Sequence, residues 1–344
     1  WEGFRWQLWP LYLVTIALAV TLVWRDFAPP RWLDGALLGL LVIGTALAVA
    51  LPVPRLPEPG GPFEIGTVTY HWVDPSRPEI YGETPSGNRE LMVQIWYPAG
   101  VPRGASPAPW LEAGRPLARA IAEWGRLPGF LLQQLTFVET HAYPDAPLMR
   151  SAPYPVVLYL HGWGGFRNIN QDQLEALASR GYVVAAADHV YGSLLTVYPD
   201  GRLVYNDPVA MNGAGGDAEF ARASNVLMET YAADAAFVLD QLTALNSADP
   251  DGRFNGELDL ARVGVFGHST GGGAMVHLCA TDDRCGAALG MDTWVVPLDE
   301  EIRARNFSQP VLLLNSAAWL EHPNRALLRP FYERAAGPAY WLDL

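Results

Sequence analysis

The sequence predicts an α/β domain built on a mostly parallel sheet with helices on both faces, preceded by two transmembrane helices. Three observations predict it. From residue 63 onward, apolar strand-like runs alternate with helix-like segments. Two uncharged stretches within the first 54 residues are each long enough to cross a bilayer. Residues 267–271, GHSTG, set a serine between an apolar run and a helical one, the pattern of a strained strand-to-helix turn. Composition agrees: 344 residues, 50% of them hydrophobic, can bury one large core or two smaller ones. The net charge of -13 argues against a nucleic-acid surface, because phosphate binding needs a basic face.

The two apolar stretches are WQLWPLYLVTIALAVTLVW (residues 6–24) and GALLGLLVIGTALAVALPVP (residues 35–54), joined by the proline-containing connector RDFAPPRWLD. Together they read as a transmembrane hairpin over residues 1–54. Trp1, Trp6, Trp9, Trp24 and Trp32 lie near the span ends, where indoles favour the water interface. Arg25 and Arg31 in the connector balance Arg5 and Arg55 outside it, so charge leaves the orientation open. A hairpin nevertheless puts everything after Arg55 on the side of the N-terminus. RLPEPGGP (residues 55–62) is the linker. GTALA in the second span carries small residues that allow contact with other helices, including those of a membrane-protein partner.

Residues 63–344 form the second domain. FEIGTVTYHWV and ELMVQIWYPA alternate apolar and polar residues and predict an opening antiparallel pair. The segment from Pro109 to Pro144 is an insertion in which Leu117, Ile121, Trp124, Leu127, Phe130 and Leu131 recur at near-helical spacing. Such a stripe faces a core, closes as a lid, or touches lipid. PVVLYLH is a buried strand ending in the turn HGWGGF, NQDQLEALASRG a helix stopped by Gly181, and YVVAAADH another strand. AEFARASNVLMETYAADAAFVLDQLTAL is a long amphipathic helix, ARVGVFGHS a strand, and STGGGAMVHLCA a helix. CGAALGMD, PVLLLNS and AYWLDL complete the series of strands.

A serine hydroxyl needs a base, an acid that orients the base, and donors for the oxyanion. Ser269 follows the strand VGVF and is flanked by Gly267 and Gly271, which leave room for a tight turn. HGWGGF, with Gly162, is placed to aim backbone N–H groups at an oxyanion, and the expected donors are the amides of Trp163 and Thr270. His161 precedes the turn and is expected to be structural. Asp292 ends the strand CGAALGMD, a plausible place for the orienting carboxylate or for a helix cap. Cys279 and Cys285, in LCATDDRCG, are close enough to bridge a helix end to the next strand, or else are two buried thiols. A disulfide would suggest an extracytoplasmic side.

HGWGGFRN, ASRGYVVAAADH, GHSTGGG and GMDTWVVPL, in this order and with WYPA near the start of the domain, resemble the platelet-activating-factor acetylhydrolase family of the lipoprotein-associated type. The resemblance covers most of residues 63–344 and not the hairpin. It implies the α/β-hydrolase fold, Ser269 as nucleophile, Asp292 as acid, Trp163 and Thr270 as oxyanion donors, and a lipid or other lipophilic ester as substrate. It also implies a histidine a few residues beyond a segment like AYWLDL, and the sequence ends at Leu344 inside that segment. Of the seven histidines only His322 follows Asp292, and His268 adjoins the serine with its side chain expected to point away. The base is therefore expected beyond Leu344 unless His322 serves.

DPDGRFNGELD imitates a calcium loop, but Arg253 and Arg262 fall on ligand positions, and no zinc or phosphate-loop spacing occurs, so neither metal nor cofactor is expected. The sequence thus points to a membrane-anchored serine ester hydrolase, and the resemblance implies lipophilic or short-acyl carboxylic esters as substrates, phospholipid sn-2 acyl groups among them. The alternatives are a polyester or general short-chain esterase, and an inactive hydrolase-like membrane subunit of a larger complex.

Overall fold

The computed structural model describes residues 4–24, 30–151, 153–319 and 322–344. Trp1, Arg25 and half of the connector lie outside the described residues. The chain divides into two compact units, residues 1–56 with 109–139, and residues 57–108 with 140–344. The insertion thus groups with the N-terminal hairpin rather than with the domain whose sequence it interrupts.

In the first unit a short turn of 3-10 helix, Trp6–Leu8, leads into α1 (Trp9–Val23), and α2 (Trp32–Ala50) follows. Pro10 occupies the first turn of α1, where its missing N–H costs nothing. The stretches Trp6–Val23 and Trp32–Ala50 are long and apolar enough to cross a membrane. Their outward residues, among them Leu13, Ile16, Leu22, Leu38 and Val49, are exposed. The small-residue step in α2 is used inside the hairpin: Gly44 is buried, and a Cβ there would lie 2.7 Å from Leu11 Cγ. The insertion is closed at its base by a bridge between Pro109 and Glu139 and contains α3 (Gly114–Trp124) and a 3-10 turn, Gln133–Phe137. Trp6 meets Phe130 edge to face at 5.0 Å. The expected stripe divides: Leu117 is buried, while Trp124, Leu127 and Phe130 stay exposed.

The second unit is a nine-stranded sheet. β1 (Glu64–Pro78) and β2 (Asn88–Ala99) form the expected antiparallel pair, from Glu64 opposite Ala99 to Asp74 opposite Arg89, and β3 (Ala142–Pro144) joins the edge. β4 (Tyr154–Leu160), α4 (Gln171–Ala178) and β5 (Val183–Asp188) follow, then a two-stranded ribbon of β6 (Leu195–Val197) and β7 (Leu203–Tyr205). After α5 (Asp217–Ala248) come β8 (Leu258–His268), α6 (Thr270–Thr281), β9 (Ala287–Met291) and α7 (Glu300–Ala304). β10 (Val311–Asn315), α8 (Asn324–Glu333) and β11 (Ala339–Asp343) complete it. The strand order is β11-β10-β9-β8-β4-β5-β2-β1-β3. The six strands from β11 to β5 are mutually parallel, and β2 and β1 attach antiparallel.

All six residues of β5 are buried, as the apolar run VVAAA before Asp188 requires of a strand covered on both faces. One face carries the larger core, built with Leu227, Tyr231 and Leu242 of α5 and Met275 of α6. On the other face Leu174 and Ala178 of α4 pack with Trp96, Tyr159, Val184 and Phe266. Beyond α4 that second face carries an open apolar hollow of about 610 Å³, lined by Val157, Leu177, Leu289, Leu312 and Leu314 among others. Cys279, in α6, and Cys285 are joined by a disulfide with a Cα separation of 5.1 Å. In the loop that imitates a calcium site, Asp249 accepts from the amides of Asp251 and Phe254, which makes it the hub of a turn.

Candidate active site

Because the central strands run parallel, the carboxyl ends of β4, β8, β9 and β10 gather at one edge of the sheet. Ser269 sits there with φ 53° and ψ -116°, a backbone conformation that a non-glycine residue adopts only when its surroundings enforce it. The Ser269 N–H donates to Met291 O at 3.0 Å, and its carbonyl accepts from Gly273 N and Trp294 N, each at 3.1 Å. The flanking glycines make the turn possible. A Cβ on Gly267 would lie 2.3 Å from Gly271 O, and one on Gly271 would lie 2.2 Å from Leu160 O. The start of α6 is thereby pressed against the end of β4.

The HGWGG turn leaves β4 beside this elbow. A Cβ on Gly162 would stand 3.3 Å from Ser269 Cβ and 3.0 Å from His268 Nδ1. His161 fixes the turn from below. Its Nε2 accepts the His189 N–H at 3.2 Å and lies 2.9 Å from Ser193 Oγ, so Nδ1 carries the proton and donates to Gly162 O at 2.7 Å. The imidazole is thus a structural brace. The amides of Trp163 and Thr270 have no hydrogen-bond partner among the described residues, and both residues line the same cavity as Ser269.

Asp292 follows β9 with φ 46°, and its amide donates to Leu314 O at 2.8 Å. Its carboxylate is clamped by Ser316 just after β10: Oδ1 accepts from the Ser316 amide and Oδ2 from its hydroxyl, both at 2.7 Å. Ser316 is the member that sequence reading missed. Nothing in PVLLLNS marks it, and the partner stands 24 positions away.

His322 also lines the cavity, yet its Nδ1 accepts the Asn324 amide at 3.1 Å. That contact commits the Nδ1 lone pair to a backbone amide. Its ring lies 4.7 Å from that of Trp319. The cavity measures about 440 Å³ and is walled mainly by Trp163, Met211, Phe220, Trp294, Val296 and Trp319. It is a slot for an apolar or aromatic group with a hydroxyl and two amides at one end.

Behind the turn lies a buried charged network that the sequence did not reveal. Asp234 of α5 accepts from Arg89 Nε at 3.1 Å and Nη2 at 2.8 Å, faces Arg77 Nη1 at 2.9 Å, and accepts from His189 Nδ1 at 3.0 Å. His189 stacks on Tyr231 with centroids 3.8 Å apart. Arg89 also donates to Val190 O and to Glu79. Burial pushes the Asp234 carboxyl up, but Arg89 and the His189 hydrogen bond outweigh it and hold it well below the usual carboxylate range.

Burial pushes His161 well below the ordinary histidine range, with the neighbouring His189 acting in the same sense, and burial lowers His189 despite Asp234. Both rings therefore bind protons less readily in the folded protein than in the unfolded chain, where they take them up near pH 6.5. The unfolded state binds more protons below that pH, so stability is expected to fall as pH drops through about 6.5. Denaturant midpoints measured from pH 8 to pH 5 test this, and a His161→Gln variant should flatten the slope.

The family described as platelet-activating factor acetylhydrolase, isoform II, matches residues 52–201 and 219–337. A platelet-activating factor acetylhydrolase of Cavia porcellus is 22% identical over 338 residues, covering 92% of this chain and 73% of its own length. A probable 1-alkyl-2-acetylglycerophosphocholine esterase of Arthroderma benhamiae is 25% identical, covering 79% and 70% respectively. Among solved structures, a ferulic acid esterase from Streptomyces cinnamoneus superposes with a TM-score of 0.70 at 30% identity, covering 85% of this chain and 76% of that one.

Proposed function

The chain belongs to the platelet-activating factor acetylhydrolase isoform II family, and from that membership we propose a membrane-anchored lipid-ester hydrolase that cleaves short acyl groups, such as those at the sn-2 position of phospholipids. It is a serine ester hydrolase of the α/β-hydrolase fold. The observation that carries the mechanism is the left-handed Ser269, opening with two unpaired amides into an aromatic slot.

Ser269 Oγ attacks the ester carbonyl as its proton passes to a histidine, and an O–C bond forms. The carbonyl oxygen becomes an oxyanion that accepts from the Trp163 and Thr270 amides. Collapse breaks the bond to the leaving alkoxide, which takes the proton back from the histidine. Water then repeats the sequence on the acyl-enzyme and frees the carboxylic acid and Ser269. Asp292, clamped by Ser316, orients the histidine and stabilises its charged form. The base itself is assigned to a segment following β11. Two observations support this: His322 spends its Nδ1 on Asn324, and the apolar hollow on the β8–β11 face suits a helix lying across it.

The hairpin spans support anchoring, and the Cys279–Cys285 disulfide supports an oxidising, extracytoplasmic side for the catalytic unit. An acyl-length series on the full-length protein tests the substrate, with acetyl, butyryl and longer phospholipid sn-2 esters beside feruloyl esters. Preference for short acyl chains supports the proposal. Preference for feruloyl esters replaces it with an aromatic-ester reading, which the four aromatic walls of the slot favour.

A further inference from the structure

Part of the slot wall comes from two segments that lie outside the strands and α-helices. Trp294 and Val296 follow β9, whereas Trp319, His322 and Pro323 lie between β10 and α8. Connecting segments of this kind keep a fixed spacing only where something ties them together. The tie is the side chain of Asn324, the first residue of α8, which is 1% exposed.

Asn324 Nδ2 donates to Thr293 O and Asn324 Oδ1 accepts from the Val295 N–H, both at 2.6 Å. Those backbone groups belong to the two peptide bonds of Trp294, so one amide grips the chain on either side of that residue. Among the described residues these are the only hydrogen bonds between residues 293–297 and 317–324. The Trp294 N–H in turn donates to Ser269 O at 3.1 Å. The planar peptide from Thr293 to Trp294 therefore spans the gap between Asn324 and the nucleophile's own carbonyl, its two polar ends bound in opposite directions. The main chain of Asn324 serves the other wall, since its N–H donates to His322 Nδ1 at 3.1 Å.

A primary amide is the group this place requires. A carboxylate accepts the Val295 N–H but has no proton for Thr293 O, and an apolar side chain leaves both backbone groups unpaired in residues that are each 1% exposed. We propose that Asn324 is a positioning residue that fixes the spacing between Trp294 and the wall of His322 and Pro323, and that this spacing sets the longest acyl group the slot accepts. Asn324 touches no substrate and acts through Trp294. The inference rests on the short-acyl reading and names the device that enforces it.

The test measures kcat and KM of the full-length protein on p-nitrophenyl acetate, butyrate and hexanoate. The variants are Asn324→Asp, Asn324→Ala, Trp294→Ala, and Asn324→Asp combined with Trp294→Ala. In both Asn324 variants the hexanoate-to-acetate ratio of kcat/KM is expected to rise about tenfold, the effect of one lost buried hydrogen bond, chiefly through a lower KM for hexanoate. Asn324→Asp is isosteric and keeps its bond to Val295, so it carries the test if the alanine variant does not fold. In the Trp294→Ala background Asn324→Asp should move the ratio less than about twofold, because the wall through which it acts is already gone. Three outcomes overturn the proposal: a ratio within about threefold of the parent, an equal shift in the absence of the Trp294 ring, or a uniform fall in kcat/KM on all three esters with a lower Tm, as a purely structural role demands. The parent's own ranking scores the short-acyl reading separately. Faster hydrolysis of hexanoate than of acetate by the parent defeats that reading, whereas the change of ratio on substitution reports on Asn324 in either case.

Discussion

Substituting Ser269 with alanine is expected to lower kcat on any ester by about 10⁴- to 10⁶-fold, with KM little changed. The reasoning follows from what the hydroxyl does and does not touch. No other described hydroxyl shares the slot with the Trp163 and Thr270 amides except that of Thr270 itself, at the first position of α6. The slot walls that bind the acyl group are separate side chains, so ground-state binding survives the change. Alanine keeps a Cβ, so the hydrogen bonds from Ser269 N to Met291 O and from Gly273 N and Trp294 N to the residue's carbonyl remain available. The variant should fold and melt like the parent, which separates lost chemistry from lost structure. Labelling by a fluorophosphonate should disappear with the activity. Equal turnover in the variant sinks the acyl-enzyme mechanism. Failure of the full-length parent to label would instead favour the inactive-subunit reading.

Much of this architecture was legible in the sequence for a physical reason. β4 and β5 are short, mostly apolar runs bounded by glycine and polar turns, and β8 closes on the apolar run VGVF, as strand segments covered on both faces have to look. The elbow was legible because it needs glycine at two fixed places, 267 and 271, where any Cβ collides with backbone. What stayed hidden depends on partners distant in the chain. The apolar stripe of the insertion is equally compatible with a core, a lid or a membrane, and its grouping with the hairpin is a tertiary choice that spacing does not encode. α8 was missed because Pro330 interrupts its pattern, although the helix runs through it. The apolar hollow over β8–β11 was invisible for the opposite reason: strands that look buried on both faces do not state which element does the burying. The Arg89–Asp234–His189 network joins residues as far as 145 positions apart, and no local motif announces it.

Asp292→Asn is expected to lower kcat by about 10⁴-fold while leaving the fold intact. Ser316 decides why the fold survives. The asparagine oxygen can still accept the Ser316 amide, and the Ser316 hydroxyl, which donates to Oδ2 in the parent, can turn to accept from the new amide group. The clamp is kept, but the negative charge is gone, so the imidazolium formed as Ser269 attacks loses its counter-charge and the histidine its preferred tautomer. Removing the clamp instead is a milder injury. Ser316→Ala deletes one hydrogen bond to a charged oxygen, of the order of 1.5 kcal/mol, and should cost roughly tenfold in kcat by letting the carboxylate swing. The two variants also separate by pH. Loss of the charge should lower the apparent pKa of the base in the kcat/KM profile, whereas loss of the clamp should leave it nearly in place. If Asp292→Asn turns over within threefold of the parent, the orienting acid lies elsewhere, and the Asp292–Ser316 pair is reduced to tying the end of β9 to the end of β10.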